Sequence, residues 1–258
     1  MYANYHAHTY RCGHASGTEE EYIKSAISGG IKIMGFSDHV PFAFENGNEY
    51  PWHVQTKDAE DYIKTLSELR EKYKDEIKIY IGFEMEYIDK HFDDMLKYVK
   101  SLGAEYLILG QHFSRFDSFE VAYYSSGPNY DEEILISYTD LVIKAIKTGV
   151  FSYIAHPDIF NYDIESKEYK REARRLCEAA KEYDIPLEIN LLGINEKRWY
   201  PNEVFWSIAG EVGNKVIFGF DSHTAERAYD GESLKIAEAM VEKFSLKLVN
   251  EINLISIK

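Results

Sequence analysis

The chain has 258 residues, with 29 Lys and Arg against 44 Asp and Glu, and its formal charge of −15 excludes a broad electrostatic footprint on DNA or RNA. Its 45% apolar content supports a sizeable core, yet no apolar run approaches the roughly 18 residues of a membrane-spanning helix. Its two cysteines, Cys12 and Cys177, are far apart and in no metal or redox spacing. That excludes a disulfide framework, and with no leader-like start the chain reads as a cytoplasmic protein.

Short apolar runs alternate with longer amphipathic ones along the whole chain. Residues 2–6 predict a first strand. Residues 18–30 predict a helix, with Thr18 as its N-cap, early glutamates and closing glycines. Strand, then helix, follows at 31–39 and 56–73, at 77–87 and 90–103, and at 105–113 and 131–149. The pattern continues at 150–158 and 167–183, at 185–193 and 201–213, and at 215–223 and 231–244, before a last apolar run at 247–257. Helices between successive strands imply right-handed crossovers and a parallel sheet. Seven such units, with no obvious linker, predict one α/β domain over 1–258, closed or nearly closed as a barrel. An open doubly wound sheet is the alternative, but no Gly-rich phosphate loop follows the first strand.

The histidines and isolated carboxylates fall on this pattern in a particular way. His6 and His8, in "HAH", end the first strand, where alternate residues face one side, and His14 lies in the loop beyond. His39 ends the second strand in "SDH", Glu84 the third in "GFEME", His112 the fourth in "QHF", His156 the fifth in "AHPD", and Asp221 and His223 the seventh in "GFDSH". Strand C-termini of a parallel barrel share one face, so these residues are expected to converge. Any one histidine alone would be core or loop filler. Neutral imidazoles with carboxylates suit Zn, Mn or Fe, and nine candidates exceed the four ligands of one tetrahedral ion. Several ions are expected.

These ordered motifs, together with "LEIN" and the following "YP", resemble the PHP family, the polymerase and histidinol phosphatase domains. The resemblance runs along the whole chain. It implies a distorted (β/α)7 TIM-like barrel with three transition-metal ions. His6, His8, Glu84 and Asp221 would hold the first ion, Glu84 with His112 and His156 the second, and His14, His39 and His223 the third. Among members, the chain is more similar to the stand-alone histidinol-phosphate phosphatases than to polymerase-attached domains. It departs from them at Asn161, Tyr162 and Asn195, where basic residues are common, and at Leu191 and Leu192, where small hydroxyl residues are common.

The implied reaction is hydrolysis of a small phosphate monoester, L-histidinol phosphate first among them, by a metal-bridging hydroxide. Glu84, Asp221 and His223 are the expected catalytic residues, and Arg198 and Arg115 the expected phosphate-binding ones. Asp38 is read as a partner that orients a ligand imidazole, His53 as a surface-loop residue and Cys12 as a buried bystander. Glu86 is the rival to Glu84, two residues on along the same strand. Other readings are a PHP phosphoesterase for another small ester or a short oligonucleotide, an amidohydrolase and a metal-stabilised binding module. The amidohydrolase reading lacks the modified lysine that such sites commonly place where His112 stands.

Overall fold

Strands laid down in sequence order pair with one another in the same order in the computed structural model, which describes residues 1–44, 46–118 and 121–257, without the side chains of 115–123. In chain order the elements are β1 (Ala3–Asn4), α1 (Glu19–Ser28), β2 (Ile33–His39), α2 (Ala59–Lys72), β3 (Lys78–Met85), α3 (Phe92–Leu102), β4 (Tyr106–Leu109), β5 (Phe113–Ser118), β6 (Val121–Tyr124), α4 (Glu132–Thr148), β7 (Phe151–Ile154), α5 (Lys167–Glu182), β8 (Leu187–Asn190), α6 (Leu191–Asn195), α7 (Glu203–Val212), β9 (Lys215–Gly219), α8 (Gly231–Lys243) and β10 (Lys247–Leu248). One curled parallel sheet runs β1-β2-β3-β4-β7-β8-β9-β10, and β5 with β6 makes a separate antiparallel hairpin.

The seven expected strands are present, and the last apolar run adds an eighth short one, β10, beside β9. Two local expectations are corrected. The run through 113 does not stay one strand: β4 stops at Leu109, and Phe113 opens the hairpin. The run through 193 stops at Asn190, because the Asn190 side chain accepts the Gly193 N–H at 2.9 Å and caps α6. Helix starts are legible: Thr18 and Glu21 form a reciprocal capping box at α1, and Asp131, Ser166, Asn202 and Asp230 cap α4, α5, α7 and α8.

The sheet curls until its ends meet at one mouth. Ala7 bridges Ser222, the His8 N–H donates to Ser222 O at 3.0 Å, and the Phe220 N–H donates to Asn4 Oδ1 at 3.1 Å. This contact sets the chain after β1 against the chain after β9. Inside the curl, Ala3, Tyr5, Ile33, Tyr106, Ile108, Tyr153 and Ile217 are buried together. The Tyr106 hydroxyl donates to Tyr5 O at 2.8 Å and lies over Gly35, where a Cβ would overlap it. Val249, Ile252 and Leu254 of the C-terminal segment pack on the same interior group, with Val249 N–H on Val216 O. The barrel interior is thus filled by tyrosines and aliphatics, as packed cores of this architecture are, and the polar groups collect above it. Among the described residues no helix is long and apolar enough to cross a membrane.

Candidate metal centre

Glu84, at the end of β3, is 1% exposed and stands at the centre of the polar group. Its Oε1 lies 2.8 Å from His156 Nε2 and 3.6 Å from His112 Nε2. Its Oε2 lies 3.1 Å from His39 Nδ1, 3.5 Å from His6 Nε2 and 3.6 Å from His8 Nε2. The carboxylate reaches this position because Gly110 follows β4, where any Cβ would overlap it. Asp221 Oδ1 lies 3.0 Å from His8 Nε2 and 3.5 Å from His6 Nε2. Two of these residues, His156 (φ 29°) and Asp221 (φ 48°), hold left-handed backbone, a conformation costing about 1–3 kcal/mol for such side chains.

Donor atoms able to share one ion fall into several groups: His6, His8 and Asp221; His6, Glu84 and His156; His8, His39 and His223; Cys12, His14 and His223. The expected first and second sets are therefore drawn together. The expected third set is also close together, with the His14 ring 4.6 Å from His223 and 5.3 Å from His39, while His39 turns Nδ1 to Glu84 and Cys12 joins His14 and His223. Cys12 is buried, with its thiol donating to Thr9 O, and burial pushes its pKa up.

A second set of acceptors holds the imidazoles from behind. His6 Nδ1 is 2.9 Å from Glu188, His8 Nδ1 3.3 Å from Asp38, and His112 Nδ1 2.9 Å from Glu86. His14 Nδ1 and His223 Nδ1 donate to the Cys12 and Asp221 carbonyls, each at 3.0 Å. A carbonyl or carboxylate only accepts, so the proton sits on Nδ1 and the Nε2 lone pair faces inward. This is the orientation metal-ligating imidazoles need. The inward atoms His6 Nε2, His8 Nε2, Glu84 Oε2, Asp221 Oδ1 and His223 Nε2 are buried and have no hydrogen-bond partner. Unpaired buried polar atoms are costly, and a cluster of such lone pairs facing one space fits transition-metal ions.

Electrostatics keeps the carboxylates ionised and divides the imidazoles: neighbouring acids raise His6, His8 and His112 against burial, while His39 and His223 are held neutral. Burial opposes charge on Glu84, but His112, His6 and His39 hold its pKa well below the usual carboxylate range. Asp221 is likewise held down against burial by His6 and His8. Burial, with His8 close by, pulls His39 down to about 3 and His223 well below its ordinary value. For His8, burial is outweighed by Asp221 and Asp38, which raise it to about 9, so an arriving cation displaces a proton there.

Asp38 does what was expected of it, holding His8 and accepting from the Thr9 N–H and hydroxyl. His53 overturns its surface reading: it is 5% exposed, stacks on His39 with ring centroids 5.3 Å apart, and places Nε2 3.4 Å from Glu86. Glu86 lies behind His112 and His53, with Oε1 2.9 Å from His112 Nδ1 and 3.4 Å from His53 Nε2. Glu188 joins the site as an acid that the histidine motifs do not mark. Its signal in the sequence is an acid in an apolar strand run, "PLEIN", which needs a buried partner. Glu188 also accepts from Asn190 Nδ2 at 2.7 Å, and the same Nδ2 reaches Asp221 Oδ2 at 3.0 Å.

The centre opens to a cavity of about 270 Å³, walled toward solvent by Trp52, Tyr124, Ile159, Leu192, Glu196 and Arg198. Arg198 is paired rather than loose: Nε and Nη2 reach Glu196 at 2.8 and 2.6 Å, and Nη1 donates to the Tyr200 hydroxyl at 2.6 Å. Arg115 is in β5, and its side chain lies outside the described residues. Asn195 gives its amide to Asp230 at 2.9 Å.

Known proteins are similar to this chain in sequence and in fold. The PHP domain family matches residues 4–191. The histidinol-phosphatase of Bacillus subtilis is 30% identical over 256 residues, covering 85% of this chain and 92% of that protein. A Deinococcus radiodurans protein named a probable histidinol-phosphatase is 24% identical over 227 residues, 84% of this chain and 85% of its own. The crystal structure of histidinol phosphate phosphatase from Lactococcus lactis, complexed with Zn, L-histidinol and phosphate, superposes with a TM-score of 0.73 at 18% identity, covering 99% of this chain and 97% of that one. With the family matched across most of its length, and its histidines and acids gathered at one barrel mouth, this chain belongs to the PHP domain family.

Proposed function

We propose that this protein is a metal-dependent phosphatase that hydrolyses L-histidinol phosphate to L-histidinol and phosphate. The observation that carries the reading is the set of buried, unpartnered imidazole and carboxylate atoms on one cavity with an arginine at its edge. His6, His8, Glu84 and Asp221, then His112 and His156, then His14, His39 and His223 would hold three transition-metal ions. Bound there, Mn, Fe or Zn would supply an activated water and a clamp on the ester's oxygens. Full-length relatives named histidinol-phosphatases support the substrate.

The chain's own groups divide the remaining work. Asp221, ionised at the barrel mouth beside His223, is the group we assign to pass the proton of the attacking water to the departing alcohol oxygen. His223 supports it by donating Nδ1–H to the Asp221 carbonyl. Phosphorus gains one bond to water oxygen as its bond to the alcohol oxygen breaks. Arg198 still has N–H groups on Nη1 and Nη2 beyond those given to Tyr200 and Glu196, and a guanidinium edge matches phosphate oxygens.

A second reading is hydrolysis of a different small phosphate monoester, and Asn195 favours it: its amide is spent on Asp230, so it supplies no charge where relatives' basic residue was expected. Membership of the PHP family removes the amidohydrolase reading. Phosphate release should be measured with manganese across small monoesters and short oligonucleotides. Histidinol phosphate is expected to be the best substrate; background activity on it, with turnover of an unrelated ester, overturns the assignment. In the same assay Arg198→Ala should lower kcat/KM by about ten- to a hundredfold without loss of metal, the scale of one charge-assisted contact. Arg198→Lys should recover only part. Parent-like kinetics in Arg198→Ala would move the phosphate contact to Arg115.

A further inference from the structure

Arg198 and Glu196 present an electrostatic difficulty that points to the substrate. The arginine's charge is cancelled within the cavity by Glu196, which takes both Nε and Nη2. An ester dianion settling on Arg198 therefore also meets the carboxylate of Glu196, which is half exposed and lines the same cavity. Like charges so placed disfavour binding unless the ligand carries positive charge of its own.

The same cavity also offers the complementary chemistry. Trp52 stacks against Tyr50 with ring centroids 5.4 Å apart and meets Tyr124 edge-on at 5.7 Å. Trp52 and Tyr124 are each 38% exposed, and both line the cavity. Aromatic faces attract organic cations, and a backed, pre-set ring loses little freedom when it does so. A carboxylate and two partly exposed aromatic rings on one cavity recognise the same class of group.

We propose that Glu196, Trp52 and Tyr124 form a leaving-group subsite for an organic cation, so that the enzyme selects phosphate monoesters whose alcohol carries a protonated amine or imidazole. The inference rests on the phosphatase reading above and assigns the residues that choose among its esters. When such an ester binds, its cation replaces part of what Glu196 gives Arg198, and the freed guanidinium edge meets the phosphate. An ester without the cation must instead settle on Arg198 beside the uncompensated charge of Glu196.

The test uses the full-length, manganese-loaded enzyme with two alkyl phosphates of equal length, one ending in a primary amine and one in a methyl group. The quantity read is the ratio of kcat/KM for the amino ester to that for the methyl ester. The parent ratio should be about tenfold, and Glu196→Gln should bring it to about twofold or less, as for one partly solvated charge contact. Glu196→Lys should invert it, and Trp52→Ala should lower it. A parent ratio near one, or a ratio that survives Glu196→Gln because both esters slow together, overturns the subsite and leaves the phosphatase standing. Release of phosphate from neither ester, nor from histidinol phosphate, overturns the phosphatase reading itself.

Discussion

Glu84→Ala is expected to abolish phosphate release, by at least about a thousandfold in kcat, because several kcal/mol of charge stabilisation depend on the ions it would share. Both of its oxygens face histidines: Oε1 faces His156 and His112, and Oε2 faces His39, His6 and His8. Among the described residues Asp221 reaches His8, His6 and His223 but is not placed against His156 or His39, so it cannot take over both roles. The variant should keep the parent far-ultraviolet circular dichroism and lose at least one equivalent of metal by elemental analysis. Glu86→Ala is the control that separates centre from support. Glu86 holds His112 by Nδ1 at 2.9 Å, and loss of such an orienting partner typically costs about ten- to a hundredfold in metal affinity or activity. A dead Glu86→Ala with an active Glu84→Ala would place the bridging carboxylate one pleat further along the chain.

Removing the metals should produce the second large effect, on stability as well as on turnover. Gently purified protein should hold more than one equivalent of Mn, Fe or Zn, and three when fully loaded. Ions bound at a thousand times their Kd contribute about 4 kcal/mol each, which for a chain of this size corresponds to about 8–15 °C in Tm. Thermal unfolding before and after dialysis against a strong chelator measures this directly. The physical source is the buried lone pairs of His6, His8, Glu84, Asp221 and His223, which have no protein partner and gain one from the cation. An unchanged Tm, with phosphate release insensitive to the chelator, would sink the metal assignment.

Part of this site was readable because metal chemistry is restrictive about residue type. Only imidazoles, carboxylates and thiolates serve, so histidines recurring at the ends of apolar runs stand out against a chain that otherwise uses few. The regular alternation of strand and helix then dictates a parallel barrel, and the barrel places strand ends together. His53 shows where such reading stops. Its loop context, "YPWHV", looks solvated, but the loop folds back so that its ring stacks on His39 and its Nδ1 reaches Val40 O at 2.9 Å. Residues 113–124 show the same limit: Phe113 belongs to the apolar run of β4 by composition and to a hairpin in space.

By itself, then, the order of residues determined the alternation of elements, the helix caps and which side chains could ligate a metal, because these depend on period, local hydrogen bonding and donor chemistry. Only the tertiary structure decided which acceptor holds which imidazole. Glu188 and His6 are 182 positions apart and meet only because β1 and β9 close at one mouth while β8 lies beside β9. It also decided that Arg198 is paired with Glu196 and Tyr200, where its position alone suggested a phosphate contact. Burial and hydrogen-bond partnership are properties of packing between distant segments, and no local pattern encodes them.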